Sequence, residues 1–295
     1  MNINDWVVRT ELESPITEHA LLLMGRDGRT NKPIGSAVFI AAGLAITAKH
    51  VVEEFWRLYG TPEVRLDSEG DKTAHFEILA VQYPGQQSDA AIWMTKLVWL
   101  CPYSDLALIS LEPADELSKT YVFSGSLKLS IFPPKIGEKV TAFGFAASEV
   151  LAEEGKTIKL ALNPLTAPGV VTEVYPEFRD LGMLTFPCFA IKTHFVGGMS
   201  GGPLFNEAGE LCGLVCAGRD DSPIAYGVAL WPMLGVNITH EGAGMICKGP
   251  YPVFEMATVG ILHMNMEDWE RVAANVEFIE EPFGRKRIRL KPSIK

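Results

Sequence analysis

Apolar residues in this chain fall in short unbroken runs, not at helical intervals. Between residues 35 and 230, runs rich in valine, isoleucine, alanine and phenylalanine are separated by clusters of glycine, proline, asparagine and aspartate. Short apolar runs bounded by turn formers read as strands. The pattern predicts strands at 37–41, 44–47, 76–82, 90–94, 106–111, 139–145, 157–161, 169–174, 211–217 and 225–229, with a turn at Asn206-Glu207-Ala208-Gly209. Helical spacing is confined to a short turn at 51–56 and to Met266-Glu267-Asp268-Trp269-Glu270-Arg271-Val272-Ala273-Ala274. An all-β sandwich or barrel follows, trailed beyond Trp231-Pro232-Met233-Leu234 by an apolar run at 252–263 and that helix. There is no internal repeat and no low-complexity segment.

Composition narrows the class. A chain of 295 residues with 47% hydrophobic content can build real cores. Its formal net charge of −10 argues against affinity for nucleic acid or an anionic membrane, both of which reward a basic surface. The cluster Arg285-Lys286-Arg287 with Arg289 and Lys291 reads as a solvated tail. The first residues, Met1-Asn2-Ile3-Asn4-Asp5-Trp6, lack the pattern of a secretory signal, and no apolar run is long enough to span a bilayer. The cysteines are Cys101, Cys188, Cys212, Cys216 and Cys247, an odd and scattered set without a C-x-x-C pair. They imply reduced thiols in a cytoplasmic protein, with no metal site and no cofactor. Cys212 and Cys216, at the ends of an apolar run, read as small buried residues.

Candidate chemistry lies in three segments. Thr193-His194-Phe195-Val196-Gly197-Gly198-Met199-Ser200-Gly201-Gly202-Pro203-Leu204 presents one serine in a glycine-flanked turn. A nucleophilic serine needs a base for its proton and backbone N–H groups for the developing oxyanion, and the glycines leave the Gly198 and Ser200 amides open to substrate. Upstream stand Leu44-Ala45-Ile46-Thr47-Ala48-Lys49-His50-Val51 and Ser104-Asp105-Leu106-Ala107-Leu108-Ile109. The chain order His50, Asp105, Ser200 is that of the chymotrypsin arrangement of the catalytic triad.

On these T-A-x-H, D-L-A-L and G-x-S-G-G-P-L blocks the chain resembles the trypsin-like serine proteases, in the style of the bacterial Deg/Htr-type branch. The resemblance covers about residues 18 to 237 and leaves the C-terminal extension, 238–295, without a role. It implies two packed six-stranded β-barrels joined within 112–134. His50 would act as general base, Asp105 as its orienting partner, and Ser200 as the nucleophile that forms an acyl-enzyme with a protein or peptide substrate. Asp89, in Ser88-Asp89-Ala90, also precedes an apolar run. Asp105 is preferred because its strand matches the family better and its distance from Ser200 is more typical. The resemblance also implies that Val215-Cys216-Ala217-Gly218 pairs with extended substrate, that Tyr226 forms a pocket wall and that His194 lies near the pocket floor. Met199 departs from the aspartate or asparagine common before the serine, so the hydrogen bonding of this loop is expected to differ. Two other readings are a catalytically silent peptide-binding module on the same fold and an α/β-hydrolase-type esterase. The latter would use Gly198-Met199-Ser200-Gly201-Gly202 as G-x-S-x-G, with Asp221 and His240 or His263. A nucleophile elbow must lead into a helix, whereas residues 201–210 read as strand and turn.

Overall fold

The computed structural model describes residues 8–9, 15–26, 31–59, 64–66, 72–74, 78–83, 90–120, 127–154, 157–218, 222–239, 250–280 and 286–290. Six antiparallel strands form a first barrel: β1 (Ala20–Arg26), β2 (Asn31–Ala41), β3 (Leu44–Ala48), β4 (Ile78–Gln82), β5 (Ala91–Leu100) and β6 (Leu106–Pro113). They pair in the order β5-β4-β1-β2-β3-β6, and β6 returns to β5 to close the ring. A second barrel uses β7 (Lys139–Phe145), β8 (Pro164–Tyr175), β9 (Cys188–Lys192), β10 (Pro203–Asn206), β11 (Leu211–Ala217) and β12 (Ile224–Val228). Its order is β10-β7-β8-β9-β12-β11, closed by β11 on β10. Closure leaves neither ring with a free edge.

The runs in the sequence are unbroken because these strands bury both faces. In β1, Leu21 and Leu23 point into the first barrel, while Ala20, Leu22 and Met24 pack with Phe143 and Phe145 of the second. In β3, Ala45 faces the barrel interior, while Leu44 and Ile46 join a larger core outside it. A strand covered on one side only would alternate apolar with polar. The larger core also takes Leu129, Ile131, Leu211, Leu214 and Val228, together with residues of the C-terminal segment.

That segment supplies two helices, α2 (Val253–Thr258) and α3 (Met266–Asn275), if the helix after β3 is α1 (Lys49–Tyr59). Val253, Met256, Leu262 and Val272 enter the same core as Trp231 and Met233. Asn265 caps α3 by accepting the Asp268 N–H at 2.8 Å, and the buried Asp268 carboxylate in turn accepts the Ile131 N–H. Among the described residues no helix is long and apolar enough to cross a membrane.

Candidate active site

Strand register brings the first two candidate residues together. β3 and β6 run antiparallel with Ala48 opposite Leu106, so the residues after β3 and before β6 emerge side by side at one end of the ladder. There α1 begins, amphipathic through buried Val51, Val52 and Phe55 and exposed Glu53 and Arg57. The Asp105 carboxylate caps its first turn. Oδ1 accepts the His50 backbone N–H at 2.9 Å, and the Asp105 carbonyl accepts the Lys49 N–H at 3.0 Å. An anion here meets an orphan amide and the positive end of the helix dipole. The other oxygen, Oδ2, lies 2.7 Å from His50 Nδ1. Because a carboxylate only accepts, Nδ1 carries a proton, and in the neutral ring Nε2 keeps its lone pair. The Asp105 side chain is 7% exposed and the His50 side chain 40%, so the ring faces both its buried partner and solvent. Burial pulls the His50 pKa down, but the hydrogen bond and charge of Asp105, with the charges of Glu53 and Glu54, outweigh it. The net shift is upward from the ordinary histidine value.

A third donor converges on the same carboxylate. β11 carries a bulge between Val215 and Ala217, where its register against β12 shifts. Val215 points into the second barrel, and Cys216 turns the other way, into the larger core. The Cys216 thiol donates to Asp105 Oδ2 at 3.1 Å. Burial first, and then the Asp105 charge, push this thiol well above the usual cysteine range, so it is a hydrogen-bond donor. Sequence reasoning assigned Cys216 only a buried place and a backbone role toward substrate. Nothing local to a run such as Leu211-Cys212-Gly213-Leu214-Val215-Cys216-Ala217 marks which thiol will meet a residue over a hundred positions away.

Ser200 lies in two consecutive tight turns. The Met199 N–H bonds to the Val196 carbonyl at 3.1 Å and the Gly202 N–H to the Met199 carbonyl at 2.9 Å. The third position of each turn is a glycine in the left-handed region, Gly198 at φ 96° and Gly201 at φ 79°, as type II geometry demands. Gly201 has a second reason to lack a side chain: a Cβ there would stand 2.2 Å from Thr47 Oγ1 and 2.3 Å from the Ser36 carbonyl oxygen. This close approach sets Ser200 against the end of β3, just ahead of His50. The loop is stitched to the first barrel through β2, because the Ser36 N–H bonds to the Ser200 carbonyl at 2.8 Å. The buried Ser36 hydroxyl donates to the Gly198 carbonyl at 2.9 Å and accepts the Phe145 N–H at 3.0 Å. Sequence reasoning missed Ser36. Its signal was a small polar residue inside an apolar run. Met199 is fully buried in the core of the second barrel, so packing anchors the loop at this position. Among the described residues, the Gly198 and Ser200 amides donate to no protein group, nor does the Ser200 hydroxyl bond to His50.

The remaining candidates line the neighbourhood of that loop. His194 is buried, and Phe195 beside it packs so tightly on Gly218 that a Cβ on the glycine would stand 3.3 Å from Phe195 Cβ. Ala217 sits opposite Tyr226, over whose ring the Arg179 guanidinium lies at 4.9 Å. Asp89, Asp221, His240 and Cys247 lie outside the described residues, as does part of the expected joint between barrels. Ser200 leads into a turn and then β10, not into a helix, which removes the α/β-hydrolase reading.

Among solved structures, the chain is similar to the MamO protease domain from Magnetospirillum magneticum (apo form), at 18% identity and TM-score 0.49, covering 72% of this chain and 92% of that one. It is also similar to a Glu endopeptidase in complex with MPD, at 14% identity, TM-score 0.47 and coverage of 76% and 91%. A third similar structure is Deg5, at 16% identity, TM-score 0.46 and coverage of 72% and 84%. Among curated proteins nothing matches. The family model described as trypsin-like peptidase domain matches residues 35–214, more than half of the chain, and spans all three candidate segments. The chain belongs to the trypsin-like peptidase domain family.

Proposed function

We propose that the protein is a serine endopeptidase that cleaves protein or peptide substrates through an acyl-enzyme. His50 takes the Ser200 proton as the hydroxyl attacks the scissile carbonyl and returns it to the leaving amine. Asp105 holds the imidazole in the required tautomer and stabilises the imidazolium. The Gly198 and Ser200 amides receive the oxyanion. The observation that carries this reading is the two-point grip of Asp105 on His50, 2.9 Å to the backbone and 2.7 Å to the ring, at a solvent-facing histidine. Apo serine–histidine contacts are often long and tighten when substrate binds. The four described cysteines are free and buried, which suits an enzyme of the reducing cytoplasm.

The test is labelling of the whole chain by a fluorophosphonate, which reacts only with an activated serine. Labelling at Ser200 that disappears in Ser200→Ala and His50→Ala, with both variants still folded, is the expected result. A folded chain that takes no label while a known protease control does would favour the silent peptide-binding module.

A further inference from the structure

We propose that His50, Asp105 and Cys216 form a site for a thiophilic divalent cation, zinc in particular, and that an ion seated there disables the catalytic base. The inference builds on the reading of His50 as that base. An imidazole nitrogen, a carboxylate oxygen and a cysteine sulfur are the donor types that zinc prefers. Nδ1, Oδ2 and Sγ all lie within 4.8 Å of one another. Nδ1 is 2.7 Å and Sγ 3.1 Å from Oδ2. Bonds of about 2.0–2.3 Å around a tetrahedral ion hold such donors roughly 3.3–3.6 Å apart. Each of the two contacts therefore has to open by less than about 1 Å. Asp105 is already fixed through Oδ1, which leaves Oδ2 to the ion, and the half-exposed His50 ring is the element that swings to admit it. The fourth position falls to water.

The exchange balances without any oxidant. The ion displaces the thiol proton, which leaves to solvent, and bonds form to sulfur, to Oδ2 and to the Nδ1 lone pair. The proton formerly on Nδ1 moves to Nε2. The local charge goes from −1, carried by Asp105, to zero. Nε2 then bears hydrogen and has no lone pair with which to accept from Ser200, so the same nitrogen chemistry that binds the ion stops proton transfer. A serine hydroxyl at position 216 would keep a hydrogen bond to Asp105 but supply no thiolate. The cysteine is therefore what turns a catalytic pair into a metal site.

Cobalt(II) serves as the probe because a cobalt–thiolate bond gives a charge-transfer absorption. Full-length Ser200→Ala, which needs no activity for the readout, is titrated with cobalt. One equivalent should develop the band, and the Ser200→Ala/Cys216→Ser double variant should not. As a second handle, Ser200→Ala/His50→Gln keeps the thiol and should bind cobalt at least roughly tenfold more weakly, since even outer-shell partners act on that scale. No band in Ser200→Ala, a band that survives in a folded Cys216→Ser background, or unchanged affinity in His50→Gln each overturns the site. This arm stands or falls whether or not the chain cleaves peptides. In the active chain, zinc should inhibit reversibly, and Cys216→Ser should raise the half-inhibiting concentration by roughly tenfold or more. Equal sensitivity of the two proteins overturns the claim that Cys216 is a ligand.

Discussion

As the proposed general base, His50 must be neutral at rest to accept a proton, and its pKa lies above the ordinary value of 6.5 because Asp105 and the glutamates outweigh burial. The sign follows directly: as pH falls through the raised pKa the base is protonated and activity is lost. The acid limb of kcat/KM is therefore expected above pH 6.5. Asp105→Asn should move that limb down while lowering kcat by on the order of 10⁴-fold. A limb that stays put in Asp105→Asn would contradict the assignment of the third member. Ser36 makes a separate prediction. Ser36→Ala leaves the Phe145 N–H and the Gly198 carbonyl without their partner in a buried place, which costs about 1–3 kcal/mol for an unsatisfied group. Urea denaturation should show that loss, and turnover should fall with it because Gly198 belongs to the proposed oxyanion loop. His50, Asp105 and Ser200 were legible because each stands in a local pattern tied to a strand end. Ser36 and Cys216 were not, since their partners lie 162 and 111 positions away and only the closed barrels bring them together.

At the scale of elements, the loop that carries Ser200 shows how a departure from the family pattern is accommodated. Here the Met199 side chain is inserted among Val140, Ala142, Phe195 and Leu204, and the Ser36 hydroxyl bonds to the adjacent carbonyl. Met199→Leu conserves volume and chemistry and should cost less than about 1.5 kcal/mol. Met199→Asp would place an unpaired carboxylate in the core, at a cost of several kcal/mol or an upward pKa shift that keeps it neutral. Denaturation midpoints and fluorophosphonate labelling of both variants check this, and a stable, reactive Met199→Asp would show that the loop is held by something other than packing. Two barrel strands escaped the sequence reading for a related reason. β1, Ala-Leu-Leu-Leu-Met-Gly-Arg, is apolar on both faces and rich in residues that favour helices, and β9, Cys-Phe-Ala-Ile-Lys, is equally unpatterned. Periodicity cannot separate such runs from buried helix. The register of β3 on β6, which brings His50 beside Asp105, was not legible either, because nothing within one strand says which neighbour it pairs with.

For the molecule as a whole, the question is what the residues beyond the second barrel contribute. Both rings close by the end of β12 at Val228, and among the described residues the C-terminal segment enters neither ring but extends the second barrel's sheet through His263–Met264, paired to it by way of Lys128–Leu129. What it adds is cover. Leu129, Ile131, Leu211 and Trp231 face outward from the second barrel and its exit, and Val253, Met256, Leu262 and Val272 bury them. Strand His263–Met264 lies parallel to Lys128–Leu129, and the Glu210 carboxylate ties the layers by accepting from Lys128 at 2.6 Å and Asn265 at 3.1 Å. Burying one aliphatic side chain is worth about 1.5–3 kcal/mol, so four of them approach the roughly 5–15 kcal/mol by which a domain is stable at all. A chain ending at residue 239 should therefore fail to accumulate in soluble form, or melt far below the intact protein, even though it retains His50, Asp105 and Ser200. Soluble yield and thermal melting by circular dichroism read this out. A truncated chain that melts with the full-length protein and still takes the fluorophosphonate would show that the segment is a separable attachment, whereas loss of the fold makes it part of the peptidase.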